Sequence, residues 1–159
     1  MSVPQLQASA FMRPHWTDQE RANATAVIEF VQLLMNDHDF DAVLQLCADQ
    51  HYRQHNRSMA DDIGGVVSTL RNLVKSAPDF SYDVKHLYVD GDHVILHSHA
   101  TLKAKHRGDD RQGLNIIDVW RVADGRLLEH WDAVQGISLS MRLYGLLTGG
   151  QVRNSNGVF

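Results

Sequence analysis

The hydrophobic repeat changes once along the chain, and that change limits the fold more than any other feature. Up to Pro78 the apolar residues recur at helical spacing; from Phe80 onward they come in extended segments. Val27, Ile28, Val31, Leu34 and Met35 fall at i, i+1, i+4, i+7 and i+8 behind Thr17-Asp18-Gln19-Glu20, an order that suits a capping box. They predict a long first helix that ends at Asn36 and Asp37. Phe40, Val43, Leu44 and Cys47 predict a short second helix behind Asp39, with the thiol as a small core residue. Ile63, Val66, Val67, Leu70, Leu73 and Val74 predict a third, closed by Pro78. Four extended segments follow, roughly 80–89, 93–104, 113–122 and 126–135, with Asp90-Gly91 and Asp124-Gly125 as turns. A brief strand is expected within 50–56 and a last short helix over 138–147. Helices first and an antiparallel meander afterwards make an α+β arrangement, because the sheet must bury one face and only the helices can cover it.

With 159 residues, 43% hydrophobic and 21% charged, the chain suits one globular domain over 17–147. Residues 1–16 read as an arm, disordered or laid over a neighbour, and 148–159 as a Gly-rich polar tail. The 15 Lys and Arg against 19 Asp and Glu are scattered, so no basic stripe offers itself to nucleic acid. No apolar run approaches the roughly 18 residues of a membrane helix. Pro4, Gln5, Gln7 and Pro14 break the stretch where a signal peptide needs an apolar run, which points to the cytoplasm. Cys47 is the lone cysteine, which excludes an intramolecular disulfide and a thiolate cluster.

Histidine is conspicuous, with ten copies, and the richest polar pattern is the last hairpin. The order Ala-Asp-Gly-Arg at 123–126 suits a three-residue loop with Gly at the left-handed bulge position, pairing Val122 with Arg126. Asp118 then lies opposite His130, with Asp132 as its diagonal neighbour on the same face and Trp120 beside them. A two-residue loop would instead carry Asp118 to the other face. Two acids and an imidazole on a half-apolar face form an acid/base constellation. Burial and like charge raise the proton affinity of at least one carboxylate, although an ordinary ion pair is the plain alternative.

His97 and His99 sit at i, i+2 on a strand and point the same way, a spacing used by metal sites of the cupin type. A third ligand is required, from His55, Asp83 or Asp132; otherwise the pair lines a polar cavity or interface. Val94, Leu96 and Ala100 are the apolar face of that strand, which would turn both histidines away from the core. Tyr52-Arg53-Gln54-His55-Asn56 is a dense hydrogen-bonding corner before the third helix.

Tyr52-x-Gln54-His55-Asn56, Val94 to Thr101, Asp118-Val119-Trp120-Arg121, Asp124-Gly125-Arg126, Glu129-His130-Trp131-Asp132 and the ending Asn156-Gly157-Val158-Phe159 resemble SnoaL-like polyketide cyclase-related proteins of the nuclear transport factor 2-like superfamily. The resemblance runs from Thr17 to about Gln135 and includes the tail. It implies a cone-shaped α+β barrel in which a bent sheet wraps a long helix, and it implies frequent homodimers. It also implies aldol-type ring closure with an acidic residue moving protons and no metal or organic cofactor. Carried onto this chain, Asp132 and Asp118 are the catalytic candidates with His130 and His55 assisting. Tyr52, Trp120, His55, His97 and His99 are the candidate substrate-binding residues. Arg57 stands where similar proteins mostly have Pro after the Gln-His-Asn triplet.

The expected activity is thus a cofactor-free cyclase or isomerase acting on a small hydrophobic carbonyl compound. Asp132 or Asp118 removes a proton beside the carbonyl, and His130 and His55 bond the enolate oxygen. Two rivals are a hydrolase that activates water with a carboxylate, as epoxide hydrolases on this superfold do, and a non-catalytic ligand-binding module. The hydrolase requires an Arg beside the acid, whereas Arg121 is expected on the far face.

Overall fold

Thr17 starts the first helix as its sequence suggests: its hydroxyl accepts from the Glu20 amide while the Glu20 carboxylate accepts from the Thr17 amide. In this computed structural model, described over residues 2–48 and 51–148, that helix is α1 (Asp18–Val31). The helical run ends at Asp37, where the sequence places its end, but its last turns are not α. It widens into a π-helical segment (Gln32–Asp37) closed by left-handed His38. The wider turn points Asn36 into the core, where its amide brackets Tyr82, accepting from the Tyr82 N–H and donating to the Tyr82 carbonyl. A polar side chain in that position is retained because both of its ends are satisfied.

α2 (Phe40–Leu46) and α3 (Asp62–Ser76) follow, with β1 (Arg53–Gln54) between them. The meander is β2 (Ser81–Asp90), β3 (His93–Thr101), β4 (Leu114–Ala123) and β5 (Arg126–Gly136), and α4 (Leu139–Thr148) ends the described chain. The sheet order is β1-β5-β4-β3-β2, with β1 parallel to β5 and the other pairs antiparallel. The sheet is curved and unclosed. Its inner face, with Val84, Leu87, Val94, Leu96, Ile116, Trp120 and Leu127, buries Val27, Phe30, Val31 and Leu34 of the first helix and Val66, Val67 and Leu70 of α3. Cys47 belongs to this core, and burial pushes its thiol up to about 11.

The N-terminal arm, expected to be loose or to lie on a neighbour, lies on its own first helix. Gln32 Oε1 accepts from the Leu6 amide, Asn36 donates to the Pro4 carbonyl, and Leu6, Phe11 and Met12 pack on the core. The tail expected beyond α4, with its Asn156 to Phe159 ending, lies outside the described residues. Among the described residues no helix is long and apolar enough to cross a membrane.

The last hairpin corrects the expected register. Asp124 and Gly125 both take positive φ, 51° and 72°, and form a two-residue turn that pairs Ala123 with Arg126 and Val122 with Leu127. Continued without interruption, that register would set Asp118 and His130 on opposite faces. A bulge between Arg121 and Val122 on one strand and across Leu128 on the other shifts the pairing by one residue, so Arg121 pairs with Glu129, Trp120 with His130 and Asp118 with Asp132. Asp118 therefore faces Asp132 directly, and His130 is the diagonal neighbour: the reverse of the expected placement, on the expected face.

Leu128 is the surplus residue, so its deletion heals the bulge and changes no pair. Deletion of Leu128 is expected to cost at most about 2 kcal/mol, whereas deletion of Trp131 turns His130 or Asp132 to the wrong face and costs about 3 kcal/mol or more. Chemical denaturation of the two variants compares them directly.

Candidate active site

The site grows from the alternation of β1. Tyr52, Gln54 and Asn56 share the inward parity, while Arg53 and His55 face the other way. Outside, His55 Nε2 meets Glu129 Oε1 at 2.8 Å and its ring stacks on Trp131 at 4.9 Å. Arg121 also bonds Glu129, at 3.1 Å. Partial burial works to raise the Glu129 carboxyl, but the bonds from His55 and Arg121 prevail and hold it below its ordinary range. The chain therefore spends His55, expected to assist the acids, on an outer ion network.

Inside, a hydrogen-bond chain fixes the imidazole. The Asn56 N–H donates to Gln54 Oε1 at 2.8 Å, so that atom is an acceptor. His130 Nδ1 lies 2.9 Å from the same oxygen and must donate to it. In the neutral ring Nε2 is then without hydrogen, and it faces Asp118 Oδ1 at 3.1 Å. A hydrogen bond between the two requires one proton, carried by either atom. Trp120 stacks on His130 at 4.6 Å and donates from Nε1 to the Tyr52 hydroxyl at 3.3 Å, so both expected binding residues serve as walls of the imidazole slot.

Asp118 is 1% exposed and His130 5%. Burial holds the Asp118 carboxyl above its ordinary range against the opposing bond from His130, and the like charge of Asp132 adds to the rise. Its Oδ2 is buried with no hydrogen-bond partner among the described residues. Tyr82, unremarked in the sequence, is close enough to act on Asp118, and burial pushes its phenol well above its ordinary range so that it keeps its proton.

Asp132 is the accessible member. It reaches a cleft of about 270 Å³ with His55, Asn56, Arg57, Ser58 and Val134. Val134, one step along the same face, is half exposed, which marks where the sheet emerges from under the helices. Asn56 Nδ2 donates a very short hydrogen bond to Asp132 Oδ2. Asp118 does not line this opening; it lies behind.

His97 and His99 stand apart from the acids. Both are on the outer face, where His97 bonds Asn115 Oδ1 and stacks on His86, and His99 Nε2 bonds the Gln112 carbonyl. They line a separate groove of about 620 Å³ with Lys85, Asp110 and Gln135. No third metal-ligating side chain converges on them among the described residues; the group that does converge is Asp118, His130 and Asp132, with donor atoms within 4.8 Å of one another. That set has the composition of a divalent-metal site, but Asp118 Oδ1 and His130 Nε2 are bonded to each other and Asp132 Oδ2 to Asn56.

A family model of the SnoaL-like domain matches residues 27–130, from within α1 to the histidine that bonds Asp118. The chain belongs to the SnoaL-like family. Among solved structures it is similar to a polyketide-cyclase candidate from Bacillus cereus, at 18% identity over 77% of this chain and 81% of that one, with a TM-score of 0.63. It is also similar to a SnoaL-like protein of unknown function from Burkholderia thailandensis (18% identity, 76% and 100% covered, TM-score 0.56). A third is AclR, a hydroxylase candidate from Streptomyces galilaeus (20% identity, 79% and 86% covered, TM-score 0.57). At these identities the likenesses establish the SnoaL-like, nuclear transport factor 2-like fold and nothing finer. No curated protein sequence matches this chain.

Gln54 and Asn56, read in the sequence as part of a hydrogen-bonding corner and not as site candidates, are the residues that bond His130 and Asp132. The available signal is parity, since Gln54 and Asn56 alternate with Arg53 and His55, which meet Glu129.

The buried carboxyl makes a prediction for stability. With its folded pKa raised, Asp118 binds more protons in the native than in the unfolded chain, so its contribution falls as pH climbs from about 4 through the raised value. Asp118→Asn cannot ionise, and its amide can still donate to His130 Nε2. Urea denaturation across pH 4 to 7 is expected to show the variant gaining on the native protein as pH rises. Parallel stability curves would contradict the buried charge.

Proposed function

We propose that this SnoaL-like chain is a cofactor-independent acid/base enzyme of the cyclase or isomerase type, moving a proton at a carbon beside a carbonyl. The observation that carries this reading is the buried contact of Asp118 Oδ1 with His130 Nε2, at 3.1 Å, behind an accessible Asp132. Asp132, with one oxygen bonded by Asn56, removes the proton from the guest. Asp118 and His130 are too buried to touch a guest in the cleft, so they act as positioning residues: they store one proton and set the charge that Asp132 feels. The fixed Nδ1–H to Gln54 keeps the imidazole from turning over and losing that arrangement. The family membership and the polyketide-cyclase candidate of similar fold support the same class of reaction. The cleft is more polar than a hydrophobic guest would require.

The hydrolase alternative needs an arginine paired with the acid: Arg121 bonds Glu129 on the outer face, Arg53 lies 3.7 Å from the same carboxylate, and Arg57, which lines the cleft with Asp132, makes no ion pair with it among the described residues.

Proton abstraction can be read without knowing the natural substrate. A panel of small ketones incubated with the protein in deuterium oxide is expected to exchange hydrogen beside the carbonyl, followed by NMR. Asp132→Asn is expected to slow the exchange about 10²–10⁴-fold, and Asp118→Asn to change the pH profile of the remaining rate. Exchange that is equal in Asp132→Asn and the native protein refutes the mechanism, and its complete absence favours the binding module.

A further inference from the structure

The lining of the cleft limits what can enter it. At about 270 Å³ it falls below the range of about 300–1,000 Å³ typical of pockets for drug-sized ligands, so its guest is small. Most of its polar atoms are already engaged. His55 Nε2 is bonded to Glu129, Asn56 Nδ2 to Asp132, and Asn56 Oδ1 accepts from the Ser58 amide. What remains for a guest is the guanidinium of Arg57, the hydroxyl of Ser58 and the carboxylate of Asp132, with Val134 as the apolar wall. Arg57 makes no ion pair with an acid among the described residues.

We infer that the substrate carries a carboxylate, which Arg57 and Ser58 hold at the mouth of the cleft while the acidic C–H is presented to Asp132. The guanidinium is a planar fork that fits a carboxylate with two parallel hydrogen bonds, and an uncharged carbonyl compound would leave it unused. The cleft also has a direction of charge, with the exposed Arg57 on its rim and the half-buried Asp132 deeper in. An anionic guest is repelled by Asp132 unless its carboxylate lies at the Arg57 end, so the charges orient it as well as bind it. This deepens the proposed function and rests on the reading that the Asp132 cleft is where the substrate enters.

The probe is levulinate, a small ketone with a carboxylate, compared with its uncharged methyl ester by NMR titration of the full chain. The acid is expected to bind at least about tenfold more tightly than the ester, with the preference shrinking as salt is added. Arg57→Gln is expected to bring the acid down to the ester, while Arg57→Lys keeps part of the difference because it retains the charge and loses the fork. Asp132→Asn is expected to bind the acid more tightly, since it removes the like charge. This binding readout is independent of hydrogen exchange: if exchange fails and the Arg57-dependent preference holds, the catalytic reading falls and the carboxylate site stands. Equal binding of acid and ester, an Arg57→Gln variant that retains the preference, or no saturable binding of either probe overturns the inference.

Discussion

Which face each residue of β5 occupies is the constraint on which the site depends. A strand alternates strictly, so one residue of slip would exchange His130 and Asp132 for Trp131 and Ala133 on the inner face. The two-residue turn at Asp124 and Gly125 starts the hairpin in a register that would do this. The extra residue at Leu128 restores the other one. Once the parity is right, the remaining contacts follow from proximity: β1 pairs Gln54 with His130, β4 brings Asp118 opposite Asp132, and the aromatic rings of Tyr52 and Trp120 close around the imidazole.

The same alternation explains why a chain with ten histidines places one beside the acids. His130 is inward on β5; His97 and His99 have outward parity on β3, and His55, just past β1, turns outward to Glu129. The outer histidines are engaged with Glu129, Asn115 and the Gln112 carbonyl, and they are stabilising or groove-lining groups there. The inner one is different in kind. Its two nitrogens face an amide oxygen and a carboxyl whose proton affinity burial raises, a pairing that satisfies an imidazole inside an otherwise apolar wall.

Much of this architecture was legible in the sequence, for identifiable reasons. The four long strands, their two tight turns and the three packed helices are written in periodicity and turn chemistry, which are local. The acids and His130 were legible because charged groups on an apolar strand face are conspicuous. The loop type was not: Ala-Asp-Gly-Arg suits either a two- or a three-residue loop, and a bulge has no residue signature beyond the adjacent pair Leu127 and Leu128. The π-helical segment was hidden as well, because Asn36 reads as a helix stop until Tyr82, 46 positions away, arrives to bond it. The reach of His55 was misread for the same reason: its partner Glu129 is 74 positions distant.

The backbone of β5 separates two electrostatic neighbourhoods that are one residue apart in sequence. Glu129, with Arg121, His55 and Arg53, forms a splint on the outside of β1, while His130, with Gln54 and Asp118, forms a buried hydrogen-bonded group inside. Arg53, Arg121 and Glu129 line a separate opening, so substitutions there reach the inner groups through the strand, whereas His55 also lines the Asp132 cleft. Arg53 and Arg121 are thus the splint positions where a new side chain removes no hydrogen-bond partner from the inner groups, so long as the two rungs of β1 on β5 hold.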